Sequence, residues 1–295
     1  MEALKWPIID FFQALSAGLL IGGTYGLMCV GLGIIFGVMR VVNFAHGEMV
    51  VIGMYIGYGL WSAFKLPPWM LAPVAAALLF ALGYALQLGI VNAFIDRPQH
   101  AQFVLFISFA LMITGLHLAL FGPDSWPIQT VESMQSYTIG PVRLDVLRSQ
   151  AALMALLLII ALMLFLKFST LGRSIRAAAD NLIGAQVIGI RVRKVYAVTA
   201  GVGMACAGAA GALVAPIFDT QPFLATDFTL IAFIIVIVGG LGSLTGALLG
   251  GVLIGLSEAL AALAISPALK TTFSYALLVL VLLLRPNGLF GEPER

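Results

Sequence analysis

Four polar side chains of complementary kinds, Arg40, Asn43, His46 and Glu48, are gathered in the stretch GVMRVVNFAHGEMVVIG, residues 37 to 53. They interrupt two long apolar segments in a chain whose residues are 61% hydrophobic and only 9% charged. Lipid exposure of such groups is costly, so they must face a cavity, a partner chain or an interface. Asn43 and His46 are three apart and would share a helix face, with Glu48 displaced from it. An amide and a neutral imidazole can hydrogen-bond a passing polar solute without holding it tightly. They can equally hold the bend, because an interrupted membrane helix must re-satisfy its own amides. Arg40 and Glu48 are read as structural charges near the path, able to pair with each other and so remove two costly charges at once.

Other chemistries find no footing. The three histidines, His46, His100 and His117, have no HExxH or paired-ligand spacing, and no GxSxG is present. Nothing assembles a nucleophile, base and orienter, so no catalytic residue or metal ligand is assigned. The glycine-rich GGLGSLTG at residues 239 to 246 lacks the lysine of a phosphate-binding loop, so the chain is not expected to hydrolyse ATP itself or to hold a cofactor. Cys29 and Cys206 both sit in apolar segments and read as small packing residues. A net charge of +2, spread among loops, gives no nucleic-acid surface.

The elements that must position the polar cluster follow from the hydropathy pattern. Ordinary soluble domains are about 25% charged, and this chain is far below that. Apolar runs of roughly 20 residues, each long enough to cross about 30 Å of hydrocarbon, recur along its length. The expectation is an all-α polytopic integral membrane protein with eight or nine membrane segments, forming one transmembrane domain over residues 1 to 295. The first segment, about Phe11 to Phe36, runs far past the length of a signal-peptide core and is read as a retained helix. Its Gly22/Gly26 and Gly33/Gly37 pairs, four apart, put glycines on one face for close helix approach. Residues 122 to 150 are too polar to span and form an extramembrane loop with little helix.

The segment from about 168 to 194 is the most basic of the chain. From Lys167 to Lys194 there are six Lys or Arg and one acid, Asp180, which places this stretch in the cytoplasm by the positive-inside rule. Ile175, Ala179, Leu182 and Gln186 fall at helical spacing, and Gly189 can stop the helix in a left-handed conformation. Such a helix can seat in another protein's groove or lie on anionic membrane lipid. Asp219 and Asp227 are read as part of a loop on the opposite side. Leu230 to Ala264 is one apolar region broken at 239 to 246, as a re-entrant hairpin or two unequal helices. Arg285 favours a cytoplasmic C-terminus.

Both broken regions pair an apolar helix, a short interruption and a second helix with glycines four apart: Gly53 and Gly57 in one, Gly246 and Gly250 in the other. Paired interruptions point to a transport site in many carriers. Gly239 and Gly240 are the backbone groups expected to face that path. Glu258 reads as an interfacial group at a helix end, and Thr114 and His117, on one face, as bonding a neighbouring span.

GLGIIFGVMRVVNFAHGEMVVIGMY closely resembles the first signature of the LivH-type permeases of bacterial branched-chain amino-acid ABC importers. GRSIRAAADNLIGAQVIGI looks like that family's coupling loop, IVGGLGSLTGALLGGVLIG like its later glycine-rich signature, and RPNGLFG like its usual ending. The resemblance covers nearly the whole chain. It implies a bacterial inner-membrane subunit that pairs with a second, homologous permease chain. It also implies two ATPase subunits, which bind ATP and Mg, and a periplasmic substrate-binding protein. On the same resemblance, Arg173, Arg176, Ala179, Asp180, Asn181, Ala185 and Gly189 belong to the ATPase contact. Related permeases carry urea, short amides or aromatic acids, and a self-contained channel or secondary carrier is the alternative from another class.

Overall fold

A computed structural model describes residues 5 to 291. Eleven α-helices, three short 3-10 helices and one β-hairpin make up its regular structure. In chain order the helices are α1 (Lys5–Met39), α2 (His46–Phe64), α3 (Pro68–Gly89), α4 (Gln99–Phe121), α5 (Val146–Phe168), α6 (Thr170–Asp180), α7 (Leu182–Val187), α8 (Val192–Val214), α9 (Leu224–Gly239), α10 (Leu244–Ala264) and α11 (Lys270–Leu284). Among the described residues, seven helical spans are long and apolar enough to cross a membrane. The protein is a multi-pass membrane protein. Of its shorter elements, α2 and α9 each follow a non-helical stretch, residues 40 to 45 and 215 to 223.

Small residues set the packing. Helix α8 is so rich in Gly and Ala that neighbours approach it on several faces, and nearly all of it is buried. Gly83 of α3 faces Ala200 and Met204 of α8, whereas Gly208 faces Ala75 and Leu79, so α3 and α8 run antiparallel. Helix α1 crosses α8 where Gly31 meets Gly203 and Cys206. Along its other side α1 carries α10: Gly18 meets Gly255, Gly22 meets Gly251 and Gly26 meets Leu248. Of the glycine pairs predicted from spacing, Gly22 and Gly37 do bring backbones together, a methyl at Gly26 would meet the Leu248 side chain, and Gly33 has room for a methyl.

These antiparallel contacts give the bundle two distinct ends. The C-terminal ends of α1, α3, α5 and α9 and the N-terminal ends of α4, α8 and α10 share one end with α6 and α7. That end carries Arg40, Arg97, Lys167, Arg191, Arg193, Lys194 and Arg285. At the opposite end, the expected loop contains a short 3-10 turn (Val131–Met134) and a hairpin of β1 (Ser136–Ile139) and β2 (Val142–Asp145). Gln13 of α1 holds that hairpin through the Arg143 amide at 2.9 Å. The loop is shorter than its expected end at residue 150, because Asp145 caps α5 by accepting from the Arg148 amide at 2.9 Å and starts the helix at Val146.

Candidate translocation site

Helix α1 ends at Met39, and Arg40 takes a left-handed conformation (φ 55°) that turns the chain back along the bundle. The chain then runs without helix until His46. The Asn43 side chain accepts from the Ala45 amide at 3.0 Å, and its carbonyl accepts from the His46 amide at 3.3 Å. The His46 ring donates through Nε2 to the Met28 carbonyl at 2.9 Å. Both side chains are buried, with Asn43 at 1% and His46 at 0% exposure, so neither reaches an open surface. They satisfy the interrupted backbone, which is the second of the two roles their spacing allowed.

The bond to Met28 also fixes depth. Met28 lies eleven residues before the end of α1, roughly 16 Å along a helix axis. Helix α2 therefore starts deep inside the bundle. There the Gly47 amide donates to Thr229 Oγ1 at 3.0 Å, and a methyl at Gly47 would collide with the Ala225 carbonyl. Both partners lie in the first two turns of α9. The N-termini of α2 and α9 thus meet within the bundle, each at the head of a helix that continues a broken traverse.

That meeting corrects the sequence-level pairing of interruptions. The counterpart of residues 40 to 45 is residues 215 to 223, where Pro216 and Pro222 keep the chain out of helix. The 239 to 246 stretch is instead the turn of an antiparallel α9–α10 hairpin, two unequal helices closed by Gly240 (φ 106°) and Gly242 (φ 84°). Nor do Gly239 and Gly240 open to a path. Both are buried, the Gly239 carbonyl accepts from the Phe290 amide at 3.1 Å, and Gly240 lies against Gly291.

Glu48 and Arg40 do not pair. Arg40 is exposed at the end of α1, whereas Glu48 is buried in the first turn of α2, and the extended stretch between them carries them apart. Glu48 turns to α4, where Thr114 donates to its Oε1 at 2.7 Å and His117 Nδ1 lies 4.0 Å from its Oε2. Glu258 is likewise no interfacial group: it is buried, accepting from Tyr25 of α1 and Ser274 of α11, each at 3.3 Å.

Sequence reasoning placed Asp227 in an extramembrane loop, and the structure places it in the first turn of α9. Phe223, Thr226, Asp227 and Leu230 are exposed at spacings of three and four, forming one open face of that helix. The i, i+3, i+4, i+7 spacing beginning just after Pro222 was the available signal. A cavity of about 370 Å³ elsewhere, between α1, α3, α5 and α8, is lined by apolar residues such as Leu27, Phe80, Leu162 and Val202 and offers no polar group for a solute.

At the basic end, the single helix expected from Ile175 to Gln186 is two. Ser169 caps α6 through the Gly172 amide (2.8 Å), and Asn181 turns the chain and caps α7 through the Gly184 amide (2.8 Å). Gly189 does take the left-handed conformation, at φ 85°. Arg173, Asp180, Asn181 and Gly189 are exposed and Ala179 is half-buried. Arg176 is exposed as well and donates back to the Leu166 and Lys167 carbonyls at the end of α5, whereas Ala185 is buried in the fold. Ile183, Val187 and Ile188 of the same segment, which spacing did not single out, are 73%, 80% and 74% exposed.

Residues 14–282 match the family model described as branched-chain amino acid transport system / permease component. The chain belongs to that family. The high-affinity branched-chain amino acid transport system permease protein BraD of Pseudomonas aeruginosa is 30% identical over 302 residues, covering 97% of this chain and 98% of BraD. LivH of Escherichia coli K12, which bears the same description, is 28% identical over 302 residues, covering 96% of each chain. A probable branched-chain amino acid transport permease protein of Methanocaldococcus jannaschii is 28% identical over 282 residues, covering 90% of this chain and 88% of the relative. No solved structure matches. The family match begins inside α1 and ends inside α11, so both broken traverses and the α6–α7 segment fall within the permease region.

Proposed function

We propose that this chain is one of two permease subunits of an ATP-driven importer of branched-chain amino acids in a bacterial inner membrane. The observation that carries this is the family match, which runs through nearly all of the membrane-spanning chain. The whole of residues 1 to 295 serves as a single transmembrane permease domain. The second, homologous permease completes the path, and a periplasmic binding protein delivers solute to the hairpin end. Two ATPase subunits bind ATP and Mg, which this chain does not hold.

The basic end is cytoplasmic on this reading, and the C-terminus with it. The ATPase seats on α6 and α7, with Arg173, Asp180 and Asn181 at the contact and Ile183, Val187 and Ile188 supplying apolar surface that water would otherwise cover. Closure of the ATPases moves this segment, and the path opens to one side at a time. Asn43 and His46 hold the bend beside the path rather than line it, and the α2 and α9 N-termini mark its depth.

The test is reconstitution of the importer in liposomes with leucine as probe. ATP-dependent uptake that needs the binding protein is expected. Leucine passage through this chain alone without ATP would sink the reading in favour of a channel or secondary carrier.

A further inference from the structure

Among the described residues within the helices, Asp227 is an ionisable side chain that the fold leaves without an account. It lies twelve residues before the end of α9, about 18 Å along the helix axis, and so within the apolar thickness of the bundle. It is exposed, and among the described residues it has no ion-pair or hydrogen-bond partner. Glu48 and Glu258, the other carboxylates at depth, are buried and bonded to hydroxyl groups of neighbouring helices. A free carboxylate facing lipid at that depth is strongly disfavoured, so the α9 face looks onto a wet path or a partner chain.

The face around Asp227 has a specific chemistry. Phe223 and Leu230 flank it with exposed apolar surface, and Thr226 adds a hydroxyl beside the carboxylate. A solute with a cationic amine and a branched apolar group matches both features at once. We propose that Asp227 is a specificity-determining residue that binds the ammonium group of the transported amino acid, with Phe223 and Leu230 against its side chain. This rests on the amino-acid importer reading above.

The test replaces Asp227 with Cys in the complete importer; the native Cys29 and Cys206 are both buried and give little background. D227C is expected to lower leucine uptake at least tenfold while the permeases and ATPases still copurify. A water-soluble methanethiosulfonate carrying a sulfonate should label the site, slow its labelling when leucine is present, and restore most uptake. The trimethylammonium reagent should label without restoring it. Normal leucine uptake by D227C, or failure of both reagents to label, overturns the inference while leaving the importer reading intact. Separation of the two permeases in D227C also overturns it, since the carboxylate would then be pairing with the partner chain. A wild-type importer that carries no leucine removes the functional reading and this inference together.

Discussion

Gly47 is where the two broken traverses touch, and replacing it by Ala tests whether that contact holds the bundle together. A methyl there would collide with the Ala225 carbonyl and lie 2.6 Å from the Thr229 amide nitrogen. Both are main-chain atoms of α9, so no side chain can rotate away, and α2 and α9 must separate. Overpacking of this kind costs about 1 to 3 kcal/mol. Separation also weakens the bond from the Gly47 amide to Thr229 Oγ1, which contributes about 1 kcal/mol. The sum, about 2 to 4 kcal/mol, corresponds to a fall of roughly 4 to 16 °C in Tm if each kcal/mol shifts it by 2 to 4 °C. The assay is thermal unfolding of the purified chain in detergent, followed by tryptophan fluorescence. Gly59→Ala, in the same helix with no atom within 4 Å of the added methyl, is the control and should hold or raise Tm. Equal transitions for the two variants would refute the close approach of α2 and α9.

Thr114→Val should lower thermal stability by about 1 to 3 kcal/mol, because it removes the donor to the buried Glu48 carboxyl; Glu48→Gln, which keeps an oxygen acceptor, should cost less in the same unfolding assay. Asn181→Ala removes the cap of α7 and should cost about 0.5 to 2 kcal/mol locally, seen as faster amide exchange over residues 182 to 188 without loss of the bundle. Paired Ile183→Asp and Val187→Asp substitutions on the exposed face of α7 should leave Tm unchanged while the ATPase no longer copurifies. Truncation before Asn287 frees the Val238 and Gly239 carbonyls that accept from Leu289 and Phe290, and should speed exchange around the α9–α10 turn.

The sequence makes some of this legible because the physics involved is local. Apolar length reports spans, glycines four apart report close faces, and Gly189 is an ordinary stop signal, but the helical spacing from Ile175 to Gln186 masked the break that Asn181 makes by capping α7. The charge pairing was not legible. Arg40 and Glu48 are eight residues apart, and pairing them assumes a compact stretch, whereas Arg40 turns left-handed and the chain extends back into the bundle. Asp227 was misplaced for a related reason. An acid beside Pro222 and a polar run reads as loop, and only the contact of Gly47 with α9 reveals that this helix begins at depth. Gly239 and Gly240 looked free because the C-terminal residues that cover their backbone lie about fifty residues away in sequence.

The packing also fits the proposal that one chain does not complete the path. Helix α8 meets α2 where Gly53 abuts Gly208, and meets α1 where Gly31 abuts Gly203, while α10 meets α1 at Gly22 and Gly251. Backbone-to-backbone contacts have no rotamers with which to absorb a displacement, so these helices behave as one close-packed block. The N-termini of α2 and α9 are anchored to that block through Met28 and Thr229. Rearrangement inside it would break contacts that glycine alone permits. The open face of α9, with Asp227 upon it, is a wall that lacks an opposite wall within the chain. On the importer reading proposed above, alternating access requires motion of the whole block against whatever closes that face, the place that reading gives to the second permease subunit.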